Sequence, residues 1–331
     1  MTTIRNRWVR VLAAFALLSC AGAASAQSGS AQGSFPNRPL KIIVPWQVGG
    51  GPDTVTRILA ERMSASLGQP VVVENKPGAA GNIGATQGAK ASADGYTLLV
   101  NSAPMVLNHL LDKSLSFDPI KDFAPLGLMA SSPYVLAANG NFAGSVGELV
   151  TRAKSNPGKY SYASVGPGTQ QNIVGEVFKS MAGVDLTHVP YKGAPQALTD
   201  MVGGTVHMMF HGVPVVLPMI KSGQLKGIAV ATKARLPLLP EVPTLAEAGF
   251  PGIEAAEWYG LVVPAGTPKP IVDLLGKELG KALDAPGIRE QLIAKGFEPA
   301  ASVPPEVFGA FIASEHKRWA QAIEKTGFRL Q

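Results

Sequence analysis

Short β-branched apolar runs alternate along the chain with stretches whose apolar residues recur at helical spacing, and that alternation is the grammar of an α/β protein. Strands are predicted over 40–44, 70–74 and 96–100, with one helix running on from Ile58 and another over 83–91 between them. Strand, helix, strand, helix, strand with short loops predicts a parallel sheet with right-handed crossovers and ligands collected at the strand C-termini. The Pro-interrupted apolar stretch 122–138 breaks this rhythm and reads as a strand crossing into a second unit. There the pattern resumes: helix 146–155, strand 160–163, a glycine loop, helix 173–182, strand 185–189, helix 194–202, and strands 205–210 and 225–231. An extended segment from Glu257 reads as a return crossing, followed by helices 271–283 and 288–295 and an amphipathic helix from Pro304 toward Thr326. The expected fold is α/β with two lobes, each a mostly parallel sheet flanked by helices, joined by two crossing strands around a cleft. Lobe 1 is expected to comprise 39–131 and 257–300, lobe 2 to comprise 132–256, and 301–331 to form a C-terminal helix packed on one of them.

The junction PWQVGGGPD, Pro45 to Asp53, follows the first strand directly and sets Gly49, Gly50 and Gly51 before a helix. Glycine admits a ligand to bare backbone, and the first N–H groups of a helix lack intrahelical partners and carry partial positive charge, so the junction suits a carboxylate or phosphate. A tight turn that merely needs positive φ explains the glycines equally well.

Composition narrows the classes. Arg5, Arg7 and Arg10 precede an apolar stretch and then small residues ending at Ala26, the pattern of a secretory signal over 1–26, with a Gly/Ser/Gln-rich leader over 27–38 expected to be disordered. The chain is thus expected in the periplasm, or anchored there as a lipoprotein if the lipobox-like Leu17-Leu18-Ser19-Cys20 is used. Cys20 is the only cysteine, so after either cleavage the folded part has no disulfide and no thiolate. Leaving out the signal arginines lowers the formal net charge from +6 to +3. So weak an excess, with no Lys/Arg cluster among aromatics, argues against nucleic acid and leaves small anions as ligands.

The stretches Pro45-Trp46 with Gly49-Gly50 and Asp53, VVVENKPGAAGNIGA, ADGYTLL, PYKGAPQALTDMVGG, LPEVPTLAEAGF and WYGLVVPAGTP together closely resemble the Bug-type extracytoplasmic solute receptors of tripartite tricarboxylate transporters, over essentially the whole mature chain. That resemblance implies a Venus-flytrap fold of the periplasmic-binding-protein kind that closes on a small organic acid, needs no cofactor and acts as a monomer. It implies a membrane transporter as partner; a membrane sensor would use the same fold. By matching positions it assigns the ligand loop to Trp46, Gln47, Gly49, Gly50 and Asp53, with Ser102 and Ala103 after the third strand. Gly168, Thr169, Gln170 and Asn172 fill the second glycine loop, and Tyr191 the PYKG turn. Asp53 is read as an acceptor for loop N–H groups, water or a ligand amine, or else as the helix N-cap, since it would repel a carboxylate. Trp46 either covers the cleft or fills space between lobes, and Arg57, one turn past Asp53, is expected to pair with it.

His207 and His211 stand where the family commonly has acidic residues. A metal pair would need a third ligand, and none is near. His207 reads as a satisfied or surface histidine, while His211, at a strand end, is read as lining the cleft and, when protonated, favouring a more acidic ligand. Catalysis finds no support: the string Tyr162-Ala163-Ser164-Val165-Gly166 has tyrosine where a nucleophile elbow needs glycine, and no P-loop or dinucleotide fingerprint is complete.

Overall fold

Residues 35–326 are described in the computed structural model; the signal segment, Cys20, most of the leader and the last five residues lie outside them. Arg38–Gln331 is one compact unit; of the separate unit Met1–Asn37, residues 35–37 are described. Strand β1 (Leu40–Val44) runs parallel to β2 (Val71–Asn75) and β3 (Thr97–Ser102), with helices α1 (Gly51–Leu67) and α2 (Asn82–Ala89) as crossovers. Helix α3 (Ala103–Leu111) then leads into β4 (Phe123–Asn139).

The second set is α4 (Val146–Ser155), β5 (Ser161–Ser164), α5 (Gln170–Ala182), β6 (Thr187–Pro190), α6 (Ala194–Val202), β7 (Met208–Gly212), α7 (Val213–Lys221) and β8 (Leu225–Val230). Here β5 is parallel to both β6 and β7. The chain returns through β9 (Ala256–Pro264) to α8 (Lys269–Leu283), α9 (Ile288–Ala294), the short β10 (Glu298–Pro299) and α10 (Pro305–Thr326).

The strand order β2-β1-β3-β9-β4-β7-β5-β6 makes β9 and β4 the join between the two parallel sets. They pair antiparallel from Phe123↔Pro264 to Pro133↔Ala256, and the rest of β4 then pairs with β7 on one edge and β8 on the other. Both crossing segments fall where their extended, Pro-interrupted sequences put them. Helix α10 seats Phe308 and Ile312 in the core that includes Ile43, Leu99 and Val262, and Trp319 in the core that includes Tyr162, Phe178 and Phe210. The buried Glu315 between them accepts from both Trp258 Nε1 (3.1 Å) and Trp319 Nε1 (3.3 Å).

Where boundaries differ from expectation, the cause is local. Helices α1 and α5 start at Gly51 and Gln170 instead of Ile58 and Ile173, because their first turns are polar and carry no apolar period. The unpredicted α3 and α7 each hold a proline in the first turn, where a missing N–H costs nothing. The expected strand 205–210 begins only at Met208, since the Thr205 N–H closes the preceding helix on Asp200 O at 2.9 Å.

The α10 contacts set a stability expectation. Phe308, 1% exposed against Trp258 and Phe311, should cost about 3–5 kcal/mol when truncated to alanine, whereas its neighbour Val307, 50% exposed, should change stability by less than about 0.5 kcal/mol. Urea unfolding of both variants measures the contrast.

Candidate functional site

The two glycine loops, at the ends of β1 and β5, are built to one plan. In the first, Gly49 takes φ +82, Gly50 is the N-cap of α1, and Asp53, in the first turn, accepts the Gly49 N–H on Oδ2 at 2.9 Å. In the second, Gly168 takes φ +74, Thr169 is the N-cap of α5, and Asn172, in the first turn, accepts the Gly168 N–H on Oδ1 at 3.1 Å. Each loop thus satisfies the N–H just outside its helix with a side chain from inside it, a variant of the capping box. The positive φ needs glycine at that point, and the helix N–H groups beyond it keep their partial positive charge.

Asp53 is therefore not the N-cap, because Gly50 holds that place with extended backbone. Its buried carboxylate also accepts from Asn75 Nδ2 (2.9 Å) and Arg57 Nε (3.0 Å), and the same Asn75 amide reaches Trp46 O at 3.0 Å. The predicted ion pair with Arg57 is present at 2.9 Å. Burial pulls the Asp53 carboxyl up, but the bonds from Arg57, Gly49 and Asn75 together hold it below the ordinary carboxylate range. Trp46 is half-buried, its indole against Gly81, while Gln47 and Gly49 are exposed.

Ser102 is the fully buried N-cap of α3, and its Oγ has no partner; Ala103 is buried in the core behind it. In the second loop, Thr169 Oγ1 donates to Gly166 O at 2.7 Å, and Asn172 Nδ2 donates to Tyr162 Oη at 2.7 Å. Gln170 and Asn172 belong to the first turn of α5 and not to the loop itself. Tyr191, half-buried, donates its hydroxyl to Asp200 at 2.8 Å within its own half of the chain.

His207 lies before β7 and accepts the Ser161 N–H on Nδ1 at 3.1 Å, packed edge-on against the rings of Phe142 and Tyr160, a satisfied histidine. His211 is on β7 opposite Val135, 6% exposed, with Nδ1 unpartnered. Burial pushes its imidazole below the ordinary range, against the pull of the Glu257 carboxylate, and so works against the protonated form that the sequence reading invoked. Among the described residues no three His, Cys, Asp or Glu side chains gather as a metal site.

The crossing strands supply what sequence reading missed. Half-buried Glu257 on β9 accepts from Tyr134 Oη (2.8 Å) and Gln171 Nε2 (3.1 Å) on Oε1 and from Tyr259 Oη (2.5 Å) on Oε2. Gln170 donates to the neighbouring Ala256 O at 3.0 Å. The Tyr259 hydroxyl in turn occupies the space beside Gly51, where an added Cβ would stand 2.7 Å from it. Hence the first turn of α1, the first turn of α5 and the two crossing strands meet at one place. The period-2 pairs Ser132/Tyr134 and Glu257/Tyr259, polar residues repeated on one face of strands read as apolar, are the signal that marks it.

Helix N-termini, hydroxyls and amides are groups that can hold an anion. Comparisons with known proteins agree. A family profile described as the tripartite tricarboxylate transporter family receptor matches residues 55–328. The protein BugT of Bordetella pertussis is 36% identical over 90% of this chain and 92% of its own. Among solved structures, the periplasmic binding protein BugD aligns with TM-score 0.82 at 37% identity, covering 90% of this chain and all of that one. A protein of R. palustris with adipate aligns at 0.83 with 33% identity (88% and 98% covered), and MatC of Rhodopseudomonas palustris with bound malate at 0.80 with 33% identity (87% and 100%).

Two substitutions test the loop plan. Asp53→Asn should lower stability by about 2 kcal/mol at neutral pH, mostly through weakened bonds to Gly49 and Asn75, since Arg57 is half exposed. Because the native carboxyl is held low, its contribution is complete above the ordinary carboxylate range and lost as pH falls through the lowered value, so the variant and wild-type urea midpoints should converge in acid. Gly168→Ala, forced to positive φ, should cost about 1–2 kcal/mol by the same measurement.

Proposed function

The chain belongs to the tripartite tricarboxylate transporter receptor family, a family of periplasmic solute receptors and not of enzymes, and from that premise we propose that it captures a small organic acid between its two lobes and hands it to the membrane subunits of such a transporter. The observation that carries this reading is the pair of like-built loops that aim the first turns of α1 and α5 at the crossing strands. Relatives with adipate and malate bound support the acid as ligand class. The lobes divide within the crossing strands, at 131/132 and 256/257, so closure is a rotation about β4 and β9.

Neutral donors suit the task. A carboxylate held by N–H dipoles, hydroxyls and bridging water avoids the desolvation of a buried ion pair at each cycle, and a receptor has to release what it binds. The ligand loops are Trp46, Gln47, Gly49, Gly50 and Asp53 with Ser102 and Ala103 on one side, and Gly168, Thr169, Gln170 and Asn172 on the other, with Asp53 and Asn172 acting by shaping their loops. Export by the N-terminal segment delivers the chain to the periplasm, where it works as a monomer.

Thermal unfolding of the mature chain against citrate, malate, succinate, adipate, aspartate, glutamate, nicotinate, benzoate and terephthalate tests this. An acid present at about a thousand times its Kd should add about 4 kcal/mol, a shift of several degrees for a chain of this size. Absence of a shift with every acid would overturn the proposal.

A further inference from the structure

Glu257 puts a carboxylate at the meeting point of the two helix N-termini, which is an odd place for one if the ligand is a dianion or trianion. It is tied to α1 through the Tyr259 hydroxyl beside Gly51 and to α5 through Gln171. Its bonds come from two hydroxyls and an amide, all neutral, and among the described residues no lysine or arginine pairs with it. A second acceptor belongs to a side chain anchored on the preceding residue, Ala256. Gln170, fully buried, commits its Nε2 to Ala256 O, so its carbonyl Oε1 is turned the other way and has no partner. A buried acceptor without a donor is costly, and a bound molecule with N–H groups supplies what it lacks.

Resting on the receptor reading above, we propose that Glu257 and Gln170 Oε1 form an acceptor pair that selects acids with one carboxylate and an N–H donor, a carboxamide or an ammonium, at the other end, and rejects dicarboxylates of the same length. The carboxylate of such a molecule goes to the helix N-termini and its nitrogen to the Glu257 and Gln170 oxygens, where the hydrogen bond to Glu257 is charge-assisted. A dicarboxylate would bring a second anion against Glu257 at a half-buried site, where like charges repel more than in bulk solvent.

Matched pairs read this directly: succinate and succinamate, glutarate and glutaramate, adipate and adipamate, terephthalate and its monoamide, with β-alanine and 6-aminohexanoate as ammonium members. Isothermal titration of the mature wild-type chain should give at least one pair in which the nitrogen-bearing member binds about tenfold tighter or more. In Glu257→Gln, which keeps the size but can turn its own N–H toward the ligand, that preference should collapse to within about threefold. Equal or tighter binding of every dicarboxylate by wild type, or a preference that survives in Glu257→Gln, overturns the inference while leaving the acid-receptor reading intact. Binding of no member by wild type overturns the inference, and the acid series above then decides the receptor reading separately. If Glu257→Gln fails to fold, judged by circular dichroism and its urea midpoint, the wild-type pairs decide alone.

Discussion

Everything in this molecule hangs on the antiparallel pairing of β4 with β9. Strand β4 is long enough to leave one sheet and enter the other, β9 lies between β3 and the first part of β4, and the ladder from Phe123↔Pro264 to Pro133↔Ala256 fixes the register of both. That register sets Ser132 opposite Glu257, and the period of two then puts Tyr134 and Tyr259 on the same side as Glu257, where both hydroxyls reach its carboxylate. A slip of one residue would turn these polar groups into the core and the apolar residues between them into the site. The parallel strands on either side only need to end at this ladder for their helix N-termini to converge on it.

How the two loops meet their shared requirement differs in charge. The second uses a neutral amide, Asn172, anchored by Tyr162; the first uses a carboxylate, Asp53, which has to be buried and so needs Arg57 and Asn75 around it. The extra machinery around Asp53 explains the arginine one turn on and the asparagine at the end of β2. Both are part of the loop's construction, and neither brings a cation into the cleft.

The backbone plan was largely legible in the sequence. The apolar runs 40–44 and 225–231 and the helices 146–155 and 194–202 each carry a single unambiguous period, and β4 and β9 announce themselves as long extended stretches. What was not legible were features carried by proline and by pairing. Pro104 and Pro214 sit in first turns, where proline is harmless, and hide α3 and α7. Glu257 lay inside a stretch read for its apolar residues and its family likeness, and nothing local says that Tyr134, far away in sequence, will face it. His211 is the opposite case: its position at a strand end was legible, but only the packing shows that burial works against its charged form.

Helix α10 limits how the cleft can work. Phe308 and Ile312 lie in the core of the first sheet, Trp319 in the core of the second, and Glu315 bonds an indole from each. Eleven residues of helix span about 16 Å at 1.5 Å per residue, so the two cores are tied by a rigid rod as well as by the crossing strands. Rotation about β4 and β9 must then either carry Trp319 with the second core and bend α10 near Glu315, or slide Trp319 within its pocket. Packed cores resist both continuously, which favours two discrete arrangements over a graded opening. The Glu257 carboxylate, bonded to α5 through Gln171 and held beside the α1 N-terminus through the Tyr259 hydroxyl, stands where the two sets of strands meet, so in this arrangement the acceptor it offers is already within reach of both helix N-termini.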